Sequence, residues 1–236
     1  MSEGFTTEAA AFDRYAAEYD EALAQGLAVS GEDKTYFARE RVAWLKGVLA
    51  RLNHSPAAVL DFGCGTGSST PFLLAIGRVT TLVGVDVSAR SLEQARREHG
   101  ATGARFLQIA DHQAQGTIDL AFCNGVFHHI PPADRGAAVR HVHRSLRPGG
   151  LFAFWENNPW NPGSRYVMSR IPFDRDAIML TPREARALLR ENGFEIVRTD
   201  FLFIFPRMLR WLRAIEPRVS SLPLGAQYQV LARRPN

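Results

Sequence analysis

The segment Val59-Leu60-Asp61-Phe62-Gly63-Cys64-Gly65-Thr66-Gly67 constrains this chain more than any other. A short apolar run ends in three glycines spaced by two, and a helical pattern begins near Ser69. Glycine has no Cβ, so the backbone turns sharply there and approaches a ligand closely. The N-terminus of the next helix offers N–H groups that have no partner within the helix, which suits polar or anionic ligand atoms. Such turns also serve structure alone, so a second feature has to give this one its direction. Nineteen residues after Gly67, the run Leu82-Val83-Gly84-Val85-Asp86 ends in an acid. A doubly wound α/β fold places a carboxylate there to accept two ribose hydroxyl protons. A strand-terminal Asp is often a helix cap, but Ser88 can take that role here. Together the two features predict an adenosine-type ligand.

The dinucleotide fingerprint G-x-G-x-x-G is not met. Gly63, Gly65 and Gly67 read G-x-G-x-G, with Ser68 where the third glycine belongs. No Tyr-x-x-x-Lys pair is present for hydride chemistry. Asp61, two residues ahead of the first glycine, can face a cationic ligand.

The rest of the chain follows an α/β rhythm. Helical patterns cover residues 7–25 and 32–52, and Asn53-His54-Ser55-Pro56 breaks the second. Strands are predicted at 59–62, 81–87, 105–110, 118–123 and 151–155, with helices at 69–76, 88–98 and 133–146 between them. Arg147-Pro148-Gly149-Gly150 stops the last of these helices. A breaker-rich loop follows Glu156, and residues 166–180 read as an insertion over the pocket mouth. A helix capped by Thr181 then runs to Asn192 and closes at Gly193. Residues 194–205 and 227–232 complete the strands, with a short amphipathic helix at 208–215. The expected architecture is a Rossmann-like, mostly parallel seven-stranded sheet with an antiparallel last strand, in a single domain spanning 1–236. Within it, residues 1–55 form an N-terminal helical lid, 56–156 the cofactor-binding core, 157–180 a substrate cap and 181–236 the remainder of the sheet.

Composition narrows the alternatives. The net charge of +4 comes mostly from arginines scattered among acids, Lys34 and Lys46 being the only lysines, so a nucleic-acid partner is not expected. Cys64 and Cys123 lie far apart without metal-ligand spacing, which predicts no disulfide framework and a reducing, cytoplasmic setting. The first twenty residues carry acids and no apolar core, so no signal peptide is expected, and no stretch is long enough to span a membrane. The apolar, basic segment 201–213 raises a lipid-linked acceptor at a membrane surface as an alternative, against packing or a dimer contact. A monomer or homodimer without stable membrane insertion is expected.

Read together, Asp61-Phe62-Gly63-Cys64-Gly65-Thr66-Gly67, the Asp86 strand end, Ala110-Asp111, Ile118-Asp119-Leu120-Ala121-Phe122-Cys123-Asn124 and Leu146-Arg147-Pro148-Gly149-Gly150 resemble the ordered motifs of class I S-adenosylmethionine-dependent methyltransferases. Val126-Phe127-His128-His129-Ile130 is similar to the ubiquinone/menaquinone-biosynthesis-like (type 11/12) subgroup. The resemblance covers about residues 56–156. It implies S-adenosylmethionine as cofactor, S-adenosylhomocysteine as product and a small organic methyl acceptor. Gly63, Cys64, Gly65 and Gly67 would line the methionine moiety, with Asp61 near its ammonium group. Asp86 and Val87 would meet the ribose, Asp111 and His112 the adenine, and Asn124 the sulfonium end. Tyr15 and Tyr19 would belong to a lid helix over the cofactor, or simply to an amphipathic packing face.

Methyl transfer is a direct displacement that needs alignment and the exclusion of water, with a base only for acceptors of high pKa. His128 and His129 are the base candidates, and Glu156 can orient an acceptor or pair with an arginine. No cluster with ligand spacing appears in the sequence, so no metal is expected. One rival is a protein or nucleic-acid methyltransferase. Against it, Asn124-Gly125-Val126-Phe127 stands where an Asn/Asp-Pro-Pro-Tyr/Phe tetrapeptide would be. Other rivals are a non-catalytic cofactor-binding protein and an enzyme using a modified S-adenosylmethionine.

Overall fold

The computed structural model describes residues 19–174 and 177–236, without the side chains of residues 19–22 and 173. Seven strands form one sheet: β1 (Ala58–Phe62), β2 (Thr81–Asp86), β3 (Arg105–Gln108), β4 (Ile118–Asn124), β5 (Leu146–Asn157), β6 (Glu195–Leu202) and β7 (Gln227–Arg233). Their spatial order is β3-β2-β1-β4-β5-β7-β6. Strands β1 to β5 run parallel, and β7 lies antiparallel to both β5 and β6. The Rossmann-like sheet expected from the sequence is the sheet observed.

Near-continuous apolar strands follow from burial on both faces. Leu60, Phe62, Val83, Val85, Ala121, Cys123, Phe152 and Phe154 pack on one side. The alternate residues Val59, Leu82, Leu120, Phe122, Leu151, Ala153 and Trp155 pack on the other. The helices that cover the sheet carry matching stripes. Helix α1 (Tyr19–Leu27) leads through a short 3₁₀ turn to α2 (Lys34–Arg51). Asp33 caps α2 by accepting the Tyr36 N–H at 2.7 Å, and Ala38, Val42, Leu45, Val48 and Leu49 are buried at spacings of three and four. Helices α3 (Thr70–Leu74), α4 (Ala89–His99) and α5 (Pro132–Ser145) connect the parallel strands. Ser88 caps α4 as expected, accepting the Ser91 N–H at 3.1 Å.

Beyond β5 come α6 (Pro162–Arg170), α7 (Pro182–Glu191) and α8 (Glu216–Val219). Thr181 and Glu184 close a reciprocal capping box on α7. Several boundaries differ from the sequence reading, these among them. Strand β5 begins at Leu146 rather than Leu151, because Arg147-Pro148-Gly149-Gly150 continues along the sheet through a register shift against β4. Glu156 therefore lies within β5 rather than after it. The 208–215 segment is a 3₁₀ helix over Arg207–Ile215, kinked at Leu209. Of the lid tyrosines, Tyr15 lies outside the described residues, and Tyr19 opens α1 with its side chain outside the description.

Aromatic rings cluster where β4 and β5 meet the loop that follows β4. Phe154 is fully buried, with its ring 4.8 Å from Phe127 and 5.8 Å from Phe152. Phe154→Ala leaves a cavity between two aromatics and should lower unfolding free energy by about 3–5 kcal/mol in urea titration. A loss under 1 kcal/mol would mean the site repacks.

Candidate active site

The crevice lies at the carboxyl ends of β1 and β4, where strand order reverses and the two following loops part. Gly63, Gly65 and Gly67 all take positive φ (73°, 52° and 80°), conformations that side chains rarely adopt. A Cβ on Gly63 would sit 2.2 Å from a Val126 methyl, and one on Gly67 2.7 Å from the His99 ring. Around Gly65 a Cβ meets nothing within 4 Å. The first and third glycines thus permit close packing, and the second opens toward space. The loop is fastened to β2: the Gly63 and Cys64 N–H groups donate to the Val85 carbonyl at 2.8 and 3.0 Å. Asp86 accepts the Gly65 N–H at 2.8 Å through one oxygen and the Ser88 N–H at 2.9 Å through the other.

Two connected hollows share Gly63, Gly65, Thr66, Asn124, Gly125 and His129. The smaller, about 100 Å³, reaches Asp86, Val87, Ile109 and Ile130. The larger, about 400 Å³, reaches Asp61, Cys64, Arg41, His128, Asp174 and Phe203. Its walls come from α1, α2, the glycine loop, α6 and the segment after β6. Asp61 is buried on its floor, and its Oδ2 has no hydrogen-bond partner among the described residues. Burial, reinforced by the neighbouring Asp86 carboxylate, pushes its pKa up to about 7. Asn124 Oδ1 likewise lacks a partner among the described residues. Burial raises the thiols of Cys64 and Cys123 well above their usual range, so both stay protonated.

Beside this floor, the turn after β4 carries Phe127, His128 and His129. Glu156 on β5 is 1% exposed and accepts the Phe127 N–H at 2.7 Å through Oε1. Its Oε2 lies 2.6 Å from His128 Nδ1. Asp174 Oδ1 stands 3.5 Å from His128 Nε2 and 3.2 Å from His129 Nε2. Burial alone depresses the His128 pKa, but the Glu156 and Asp174 carboxylates outweigh it and raise it to about 10. His129 is lowered by burial and by its neighbour His128. Asp174 is buried too, yet its contacts with both imidazoles hold it down at about 2.

Asp174 reaches this place because the chain after α6 is strapped to the turn. The Ile178 N–H donates to the His128 carbonyl at 2.9 Å, and Arg135 donates to the carbonyls of Ile130 and Ile178 at 2.9 and 2.6 Å. Across the larger hollow, Arg41 is 8% exposed and donates from Nε to Gln227 Oε1 at 2.8 Å. Its guanidinium lies 6.0 Å from the ring centroids of both Phe37 and Phe203. Phe203 holds an unusual φ of 64° for a bulky residue, and Glu216 secures it by accepting the N–H groups of Phe203 and Phe205 at 3.2 and 3.0 Å.

The structure brings most of the residues singled out in the sequence to one crevice: Asp61, Gly63, Cys64, Gly65, Asp86, Val87, Asn124, His128 and His129 line it, and Glu156 backs it. Gly67 supports the loop from behind, against His99. Asp111 and His112 are not among the lining residues. Strand β3 ends at Gln108, and the 3₁₀ turn Ile109–Asp111 leaves Asp111 exposed. His112 Nδ1 instead lies 2.9 Å from His141 Nε2. Arg41 and Asp174 escaped the sequence reading. The burial of an arginine at the α-helical spacing of Ala38, Arg41 and Leu45 is the only local signal for the first.

Residues 60–152 match the family described as a methyltransferase domain. A trans-aconitate 2-methyltransferase of Methylobacterium nodulans is 32% identical over 217 residues, covering 84% of this chain and 83% of that protein. Another, from an Azoarcus species, is 32% identical over 144 residues, covering 60% of this chain and just over half, 56%, of that enzyme. Magnesium protoporphyrin IX methyltransferase from Synechocystis, solved with S-adenosylmethionine bound, shares the fold with a TM-score of 0.63 at 18% identity, covering 99% of this chain and 98% of that one. The chain belongs to the class I S-adenosylmethionine-dependent methyltransferases. It is an enzyme that transfers a methyl group, with S-adenosylmethionine as its cofactor.

The residues present fit that cofactor. The buried Asp61 oxygen without a partner suits an ammonium, and the open side of Gly65 admits the ligand against bare backbone. Because Asp61 titrates at about 7, its charge is lost as pH falls through that value, with Asp86 and the Cys64 thiol as its titratable neighbours. Affinity for S-adenosylhomocysteine should therefore drop by about tenfold or more from pH 8 to pH 5.5, a loss of ~1.4 kcal/mol or more. Calorimetry across that range would detect it, and Asp61→Asn should bind weakly at every pH. A flat wild-type profile would remove Asp61 from the ammonium site.

Proposed function

We propose that the methyl acceptor is a small organic acid, methylated on a carboxylate oxygen. The observation that carries this reading is Arg41, a buried guanidinium in the wall of the larger hollow. A guanidinium offers a planar fork of donors that matches a carboxylate, and a buried one rewards an anion over a neutral ligand. The relatives named for methylation of trans-aconitate, itself a carboxylic acid, support the same class.

When bound, S-adenosylmethionine supplies a methyl group activated by a sulfonium. The chain's own residues have the remaining tasks. Asp61 and the glycine loop hold the amino-acid end, and Asp86 with Val87 holds the ribose end. Asn124, with a buried oxygen that lacks a described partner, stands where the two hollows meet and borders the reacting region. Asp111 and His112 take no part in this reading.

A carboxylate acceptor is already ionised at neutral pH, since its pKa lies near 4. No general base is then required, and His128, whose Nδ1 is engaged by Glu156, need not act as one. Glu156 is a positioning residue in this reading, because it fixes both the Phe127 backbone and the His128 ring. The apolar walls, including Phe37, Met168 and Phe203, exclude water from the transfer.

The reading is tested with labelled cofactor against a panel of di- and tricarboxylic acids, neutral alcohols and amines. Label should enter acids as an alkali-labile ester. Arg41→Gln should lower kcat/KM for the acid about 10- to 150-fold, the loss of a charged hydrogen bond worth ~1.5–3 kcal/mol, with S-adenosylhomocysteine affinity unchanged. Turnover confined to alcohols or amines, or an Arg41→Gln enzyme of full efficiency, would refute the acid assignment.

A further inference from the structure

We propose that His128, His129 and Asp174 form a binding site for a divalent transition-metal ion in the wall of the larger hollow, with Glu156 as the support behind it. The ligand atoms of these three residues lie within 4.8 Å of one another. Both imidazoles converge on a single carboxylate oxygen: Asp174 Oδ1 is 3.5 Å from His128 Nε2 and 3.2 Å from His129 Nε2. Ligands at metal bond lengths of ~2.0–2.1 Å and tetrahedral angles stand about 3.3–3.4 Å apart, so these separations are those of a coordination edge.

The support of His128 strengthens the assignment. Metal-bound histidines usually donate their second ring N–H to a carboxylate, which fixes the tautomer and aims the lone pair. His128 Nδ1 meets Glu156 Oε2 at 2.6 Å, leaving Nε2 to face Asp174 and His129. Glu156 cannot drift, because Oε1 is held by the Phe127 N–H. Charge points the same way. Two carboxylates, Glu156 at 1% and Asp174 at 8% exposure, are buried around this pair of rings, and buried charge needs compensation. A protonated His128 offsets one of them; a divalent cation bound to the neutral ring offsets both.

Two imidazoles and one carboxylate favour Zn²⁺, Fe²⁺, Co²⁺ or Ni²⁺ over the harder Mg²⁺ and Ca²⁺. Three protein ligands leave positions open toward the hollow, the pattern of sites that bind substrate rather than purely structural ones. In the part of this inference that rests on the acid-acceptor reading, those positions take oxygen atoms of the acceptor and orient it.

The site is tested without acceptor or cofactor, so its failure is separate from failure of the acceptor assignment. Full-length protein stripped with chelator is titrated with Zn²⁺ by calorimetry, and with Co²⁺ by visible absorption. We expect one Zn²⁺ per chain and the ligand-field bands of a nitrogen- and oxygen-bound Co²⁺. Asp174→Ala and His129→Gln should each weaken Zn²⁺ binding at least tenfold, and Glu156→Gln about 10- to 100-fold. Retained S-adenosylhomocysteine binding shows that a variant is folded, and Asp174→Asn replaces Asp174→Ala if the latter does not fold. Stripped protein that binds S-adenosylhomocysteine but takes up no Zn²⁺ would overturn the proposal. So would Zn²⁺ binding that the Asp174 and His129 variants leave unchanged.

Discussion

The parting of the backbone between β1 and β4 governs the rest of the molecule. Strands β2 and β3 lie on one side of β1, and β4, β5, β7 and β6 on the other. The loops after β1 and β4 must therefore leave the sheet in different directions, and the gap between them cannot be filled by the fold itself. Everything at this edge can be read as a way of keeping that gap open. The glycine loop is drawn back onto β2 by two N–H groups sharing the Val85 carbonyl, and Asp86 pins it again at Gly65. Val126 fills the space that a side chain at position 63 would need.

Keeping the gap open has an electrostatic cost. Asp61 and Asp86 are brought close on the carboxyl edge, and the more buried of the two is held as a weak acid near neutrality. Nothing in the fold demands an acid at position 61, since its neighbours on β1 are apolar and its oxygen finds no described partner. A destabilising group kept at a cleft is the mark of a site that a ligand completes. The same logic applies on the other side of the gap, where Glu156 interrupts the apolar β5 run and its hydrogen bonds among the described residues go to the turn carrying His128.

Much of this was legible in the sequence, and the reason is local. The glycine loop, Asp61 and Asp86 lie within twenty-eight positions of one another, and strand periodicity alone puts them on one edge. The central strands were the most readable because burial on both faces makes β1, β2 and β4 largely apolar runs. Legibility failed where the chain departs from a regular period. Arg147-Pro148-Gly149-Gly150 looks like a turn, yet its backbone continues β5 across a register shift. Asp111, expected at the adenine from the resemblance, lies exposed in a 3₁₀ turn after the short β3, a position no regular period predicts. Asp174 follows two breaker-rich stretches, and no spacing links it to the histidines; the link is made by the Ile178 and Arg135 hydrogen bonds.

The two halves of the site are therefore written differently. The cofactor half comes from consecutive β-strand ends and falls inside residues 60–152, the span that matches the methyltransferase domain. The proposed acceptor half is assembled from segments with no common period: Arg41 on α2, Asp174 after α6, and Phe203 beyond β6. Each segment is fixed by its own contacts: Arg41 donates to Gln227 at the start of β7, and Phe203 is held by Glu216 on α8. A change in any one segment alters the acceptor wall without disturbing the strands that hold the cofactor. This division accounts for a chain whose cofactor is read from motifs, while its acceptor is read only from the chemistry of side chains that the fold brings together.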